Sequence, residues 1–208
     1  MVVTHGFSLG RLKPITLPHL GTFHEGACTS LLNPSLFSGG FFYGWAGYNA
    51  AMSRFVYTLL LVLLTPVILA YFAWRSRREP AYRDAWGERL GLGHPQAFKQ
   101  KPIWLHCASV GEVNAAQALI AHVVTQQQPL FVTCFTPSGK TRAQALLAEA
   151  IAQGRAQVQF LPLDLPWLMS RRLKQVQPSK VVVMETELWP NFCHAVRAQH
   201  LPLILASA

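Results

Sequence analysis

The sequence predicts an α/β protein: a Rossmann-like parallel sheet preceded by an N-terminal transmembrane helix. Three observations carry this. From residue 101 onward, short apolar runs alternate with stretches of helical periodicity, and strands alternating with helices of that length pack as a parallel sheet covered on both faces. Residues 55–74 contain no charge; at 1.5 Å per residue they make about 30 Å of helix, the thickness of a bilayer's hydrocarbon core. Finally, 51% of the 208 residues are hydrophobic and 13% charged, which favours a membrane segment over a wholly soluble chain.

In chain order, residues 1–51 hold eight of the fourteen glycines, and Pro14, Pro18, Pro34 and Gly39-Gly40 interrupt any period. Such punctuation predicts an unstructured leader. It reads either as an upstream extension of the reading frame, with Met52 as the true start, or as a disordered tail. Residues 52–75 are the expected transmembrane anchor. Pro66 is tolerated in such a helix, where neighbours re-satisfy the freed carbonyl, and Tyr71, Phe72 and Trp74 supply an aromatic belt. Arg75, Arg77 and Arg78 follow the run at once while a single arginine, Arg54, stands directly before it, so the positive-inside bias places the C-terminal bulk in the cytoplasm. A signal peptide is the rival reading, but the run is long and no small-residue cleavage site follows.

Residues 76–100 form a basic juxtamembrane segment. Tyr82, Trp86 and Leu90 share a helical face at i, i+4, i+8, with Arg83 and Arg89 beside it. Two readings stay open: a helix that lies on the membrane or covers the domain edge, and an anion-binding collar for lipid phosphates.

Strands are expected at 103–108, 130–135, 158–161, 180–184 and from 203. Helices are expected at 113–126, 140–153, 167–176 and 189–200. The Rossmann-like domain, 101–208, then stops at Ala208 on a strand with no covering helix, so it reads as a truncated domain. The net charge of +9 favours an acidic partner, whether nucleic acid, anionic lipid or phosphorylated substrate. Cys28, Cys107, Cys134 and Cys193 are widely spaced, without the closely paired ligands a zinc site needs. Cys107 and Cys134 lie in apolar strands and read as buried, reduced thiols of a cytoplasmic protein.

Ligands of open α/β sheets bind outside the carboxyl ends of the strands, and four such ends carry polar residues. The first is Ser109-Val110-Gly111-Glu112. A dinucleotide fingerprint needs three glycines around a bare helix N-terminus; here there is one, and Glu112 puts negative charge where a phosphate would dock. No nucleotide cofactor is expected at this edge. Ser109-x-x-Glu112 is a capping box, with Glu112 returning a bond to the amide of residue 109. The alternative is a general base, kept ionised by the helix dipole.

Thr136 and Ser138, ahead of Gly139, cap the next helix or bind a substrate hydroxyl or phosphate. Asp164, before Leu-Pro, reads as the cap of the helix it precedes. Glu185 and Glu187 end an apolar strand, where carboxylates are costly unless paired or hydrated; they are a site, or Glu187 is a first-turn anion ahead of Pro190. His106 reads as a satisfied strand histidine.

Taken in order, an apolar anchor, YRDAWGERLG, WLHCASVGEV, TCFTPSGK, LPLDLPW and METELWPN resemble the bacterial 3-deoxy-D-manno-octulosonic acid (Kdo) transferases, over residues 52–208. The resemblance implies the N-terminal, acceptor-binding half of a GT-B glycosyltransferase at the bacterial inner membrane, with its catalytic domain on the cytoplasmic face. It implies transfer of Kdo from CMP-Kdo to the lipid A precursor (lipid IVA) in lipopolysaccharide core biosynthesis, with no cofactor, metal or nucleic acid.

It further implies Glu112 as general base and Glu185 as assisting the transition state. Ser109, Gly111, Thr136, Ser138, Gly139, Glu187, Arg83 and Arg89 would line the acceptor site. This chain departs from the family pattern at Ser138, where a threonine is usual, and at Ser207-Ala208, where Asn-Ala-Arg is usual. The donor half that would bind CMP-Kdo is absent, so this chain alone is expected to be inactive. The rival is a membrane-tethered Rossmann-like module that binds an anionic lipid or partner without catalysis.

Overall fold

The structure is a computed structural model and describes residues 40–79, 82, 86–185 and 189–206, with side chains from residue 52 onward. Its centre is a five-stranded, all-parallel sheet: β1 (Ile103–His106), β2 (Leu130–Cys134), β3 (Ala156–Phe160), β4 (Lys180–Met184) and β5 (Leu203–Ala206). The strand order is β3-β2-β1-β4-β5, so the chain winds outward from β1 in one direction and then returns to start again at β4. The gap between β1 and β4 is therefore the topological switch point, where such sheets open a crevice at the strands' carboxyl ends.

On one face, α3 (Val110–Ala115), α4 (Gln117–Thr125), α5 (Pro137–Leu146) and α6 (Ala148–Ala152) pack through Val113, Ile120, Val123, Ala143 and Ala150 onto Leu105, Val132, Val158 and Val182. On the other, α7 (Pro166–Val176) and α8 (Pro190–Ala198) cover Trp104, Phe131, Val181 and Val183 with Met169, Leu173, Phe192 and Val196. Right-handed crossovers require this split, because helices that follow strands laid in opposite directions fall on opposite faces.

The expected element types hold. Two expected helices are each divided by one residue, at Ala116 and at Leu147. Backbone bonds still run across both, from Ala116 to Glu112 and from Ile151 to Leu147, so these are bends rather than ends. Strand β3 starts at Ala156, earlier than expected. It is an edge strand with Gln157 and Gln159 half-buried, so its first residues read as polar.

Helix α1 (Gly40–Ser76) contains the apolar run with Pro66 inside it; the part from residue 52 is long and apolar enough to cross a membrane. Its described part reaches upstream of Met52 to Gly40. Once the apolar run is helical, each residue added upstream costs only propagation, not nucleation, and no proline lies between Pro34 and Pro66.

The face expected at Tyr82, Trp86 and Leu90 lies against the edge of the α/β domain. Tyr82, Trp86 and Leu90 pack with Phe72 of α1 against Leu163, Leu165 and Leu168. Regular helix among the described residues of this segment is limited to α2 (Trp86–Arg89).

Candidate functional site

The loop after β1 is held from every side. Ser109, in extended geometry, caps α3: its Oγ accepts from the Glu112 N–H (3.4 Å) and donates to Glu112 Oε1 (3.1 Å). Glu112 Oε2 accepts from the Ala108 N–H at 2.8 Å. This is the expected capping box with one correction: the return bond goes to the amide of Ala108, not that of Ser109. The Ala108 carbonyl accepts from the Phe135 and Thr136 amides at 3.0 and 3.1 Å. Both polar groups of Ala108 are thus committed, and its amide orients the carboxylate. Glu112 stays half-exposed, and each of its oxygens keeps a lone pair beyond the bond it accepts.

The loop after β2 buttresses the first. Thr136 caps α5, its Oγ1 accepting from the Gly139 N–H at 3.2 Å, and Ser138 is exposed beside it. A Cβ on Gly139 would come within 3.0 Å of Thr136 Oγ1 and 3.2 Å of the Ser109 carbonyl carbon. Glycine is required here by close approach of the two loops. At Gly111 the nearest atom is 3.6 Å away, so space does not demand glycine there.

Glu185 comes directly after β4. Strand pairing places His106 opposite Val183, and two residues further along each strand stand Ala108 and Glu185. The carboxylate anchored on the Ala108 amide and the backbone of Glu185 therefore share the switch-point crevice. Glu185 has φ +55° while its N–H still bonds the Ala206 carbonyl at 2.8 Å. A left-handed conformation costs a non-glycine residue about 1–2 kcal/mol, and such strain concentrates at functional sites. Glu187 and Arg83 lie outside the described residues.

Arg89 corrects the anion-collar reading. It is 2% exposed, donates to the Phe135 carbonyl at 2.6 Å, and lies 4.2–5.8 Å from the ring centres of Phe72, Tyr82, Phe135 and Phe160. Burial lowers it only to about 10, so it is charged at neutral pH and held by ring faces. It pins α2 to the domain and offers no surface to a lipid phosphate. Its neighbour Glu88 binds Lys140 at 2.7 Å and the Phe160 amide at 2.7 Å, which fastens the same segment.

Asp164 is also corrected. It is buried and caps α8 rather than α7, accepting from the Asn191 and Phe192 amides at 3.0 and 2.7 Å. The Tyr57 hydroxyl of α1 adds a third bond at 3.1 Å, and the Asn191 side chain donates to the Asp164 carbonyl at 2.7 Å. Burial pushes this carboxyl up despite those bonds. The sequence held no signal for the pairing, since Asp164 and Asn191 meet only through the fold.

His106 is fully buried, with Nδ1 at 3.1 Å from the Thr133 carbonyl. Nδ1 also lies 3.0 Å from Thr133 Oγ1, a hydroxyl that can donate or accept, and Nε2 has no partner among the described residues. Burial lowers His106 to about 4. It is a neutral strand histidine, satisfied at one nitrogen only. Cys107 and Cys134 are buried free thiols, raised by burial, Cys134 to about 12. Among the described residues no group of three His, Cys, Asp or Glu side chains is placed to hold a metal. An apolar groove of about 320 Å³ opens at the starts of the strands, lined by Ile103, Leu130, Lys180 and Ile204, at the end of the sheet away from Glu112.

Residues 84–208 match the family model described as 3-deoxy-D-manno-octulosonic-acid transferase (kdotransferase). A 3-deoxy-D-manno-octulosonic acid transferase of Haemophilus influenzae is 38% identical over 158 residues, covering 76% of this chain and 36% of that one. One of Bordetella pertussis is 35% identical, covering 76% and 37%. A protein of Arabidopsis thaliana named as a probable mitochondrial 3-deoxy-D-manno-octulosonic acid transferase is 33% identical, covering 74% and 34%. The chain thus spans about a third of the length of these relatives.

Proposed function

The chain belongs to the 3-deoxy-D-manno-octulosonic-acid transferase family, and from that premise we propose that residues 101–208 form the acceptor-binding half of a membrane-bound Kdo transferase. In this reading a lipid A precursor, lipid IVA, presents a hydroxyl at the crevice between β1 and β4. CMP-Kdo is held opposite by a second domain of the complete protein. Glu112 is the general base. As the acceptor oxygen bonds to the Kdo anomeric carbon and the bond to CMP breaks, the hydroxyl proton passes to the Glu112 carboxylate and CMP leaves as the anion.

The observation that carries this is a carboxylate oriented by Ala108 and Ser109, yet half-exposed at the switch point. Ser109, Gly111, Thr136, Ser138 and Gly139 shape the wall around it. Glu185, whose backbone is strained at the same crevice, stabilises charge in the transition state. Glu187 follows it two residues on in the sequence. The segment 52–75 holds the domain at the cytoplasmic face of the bacterial inner membrane, the side marked by Arg75, Arg77 and Arg78. Both crossing the bilayer and lying along it are open to a helix of this length.

The test is transfer of Kdo from CMP-Kdo to lipid IVA by the complete protein carrying Glu112→Gln. General-base catalysis contributes about 10²–10⁴-fold, so a loss of that size with an unchanged melting temperature is expected. Wild-type turnover by Glu112→Gln removes the base assignment.

A further inference from the structure

The membrane reading leaves open how α1 meets the bilayer, and its contacts decide between the two modes. The side chains of α1 that face the α/β domain recur at helical spacing: Phe72 is buried and Tyr57, Leu61, Thr65 and Ile68 are half-buried. Leu61, Ile68 and Phe72 pack against the cluster of Leu163, Leu165 and Leu168. At the other end of the stripe Tyr57 donates to Asp164 at 3.1 Å, and Thr58 shares hydrogen bonds with Asn191 at 3.1 and 3.0 Å. Tyr57 to Phe72 is about 22 Å along a helix axis, most of the roughly 30 Å of a hydrocarbon core. The domain therefore accompanies the helix along nearly its whole apolar length.

A helix that crossed the bilayer in this arrangement would carry Asp164, Asn191 and the start of α8 into hydrocarbon, where unpaired polar and charged surface is costly. The opposite face of α1 tells the other half. Phe55, Leu59, Leu63, Val67 and Trp74 are each about half-exposed or more, whereas the hydroxyls of Tyr57, Thr58 and Thr65 belong to half-buried residues on the domain side. In an ordinary interfacial helix a charged face turns to water; here the folded domain takes that place. Arg54 stands before the apolar run, and Arg75, Arg77 and Arg78 after it, with Glu79 the nearest acid and already paired to Arg75 at 3.3 Å.

We propose that α1 is docked side-on against the domain and lies in the plane of an anionic lipid surface, its outer apolar face among the acyl chains and its terminal arginines at the headgroup phosphates. The domain's flank then rests on the membrane, and both ends of the apolar run stay on the cytoplasmic side. This rests on the membrane-bound reading and goes beyond it by fixing the geometry.

The experiment places single cysteines at Met52→Cys or Ser76→Cys in the full chain, with Cys28→Ser and Cys193→Ser and the buried Cys107 and Cys134 left in place. A membrane-impermeant maleimide is applied to sealed inverted inner-membrane vesicles and to intact spheroplasts, with detergent-opened samples as the control for reactivity. Side-on docking labels both positions in inverted vesicles and neither in spheroplasts. Labelling of Met52→Cys in spheroplasts alone overturns side-on docking and leaves the membrane reading standing as a crossing anchor. A chain that fails to float with vesicles overturns both.

Discussion

Glu112 and Asp164 are both carboxylates bonded to backbone amides beside helix N-termini, and they differ in what they have left to give. Asp164 is buried, spends its two oxygens on the Asn191 and Phe192 amides, and takes the Tyr57 hydroxyl besides. Glu112 holds one backbone amide and one hydroxyl, and remains half-exposed. Capping geometry is thus common to both, and what sets Glu112 apart is its free lone pairs and its partial exposure, the features on which the proposed base role rests.

The comparison breaks most sharply on substitution by alanine. Asp164→Ala strands two amides in a buried place, at about 1–3 kcal/mol for each unsatisfied group, so the chain in detergent should lose about 3–5 kcal/mol of stability by denaturant titration. Glu112→Ala removes part of a cap and should cost about 1 kcal/mol, while its transfer defect in the complete protein is by far the larger. Equal destabilisation by the two substitutions would refute the distinction drawn here.

The next effect is set by pH. Folded His106 sits at about 4 against 6.5 for the free side chain. Between those values the unfolded chain binds a proton that the folded chain refuses, so stability falls as pH drops from 6.5 to 4. The shift corresponds to about 3 kcal/mol. Asp164 works in the opposite sense, because its raised carboxyl lets the folded chain hold a proton that the unfolded one has released; its contribution is lost as pH rises. His106→Asn should therefore flatten the loss between pH 6.5 and 4, and an unchanged slope in that variant would assign the acid sensitivity elsewhere.

Much of this was legible in the sequence. The strands read correctly because β1, β2 and β4 are short, apolar and rich in branched residues, and the crevice followed from where polar residues interrupt them. The loops of Ser109–Glu112 and Thr136–Gly139 carry cap signatures that are local in sequence, and both formed. Arg89 and Asp164 were misread for the same physical reason. Arginine is almost never buried without partners, and the rings that enclose Arg89 come from Phe72, Phe135 and Phe160, far apart along the chain. Asp164 has its own helix next door but binds the amides of another. Long-range partners decide both cases, and no periodicity reports them.

The smaller effects sharpen how tightly the site wall is built. Gly139→Ala places a methyl 3.2 Å from the Ser109 carbonyl carbon, backbone that cannot rotate away, so about 1–3 kcal/mol of strain is expected. That strain should push the β1 loop and shift the Glu112 carboxylate with it, lowering transfer in the complete protein as well as stability. Ser138→Ala, one residue earlier, removes an exposed hydroxyl whose contact with Thr136 Oγ1 is 3.4 Å long. Its stability change should stay within about 0.5 kcal/mol. Two adjacent positions on one helix turn then separate cleanly. If Ser138→Ala lowers transfer without touching stability, the hydroxyl meets the acceptor. If it changes neither, the wall is made by the backbone that Gly139 allows to come close.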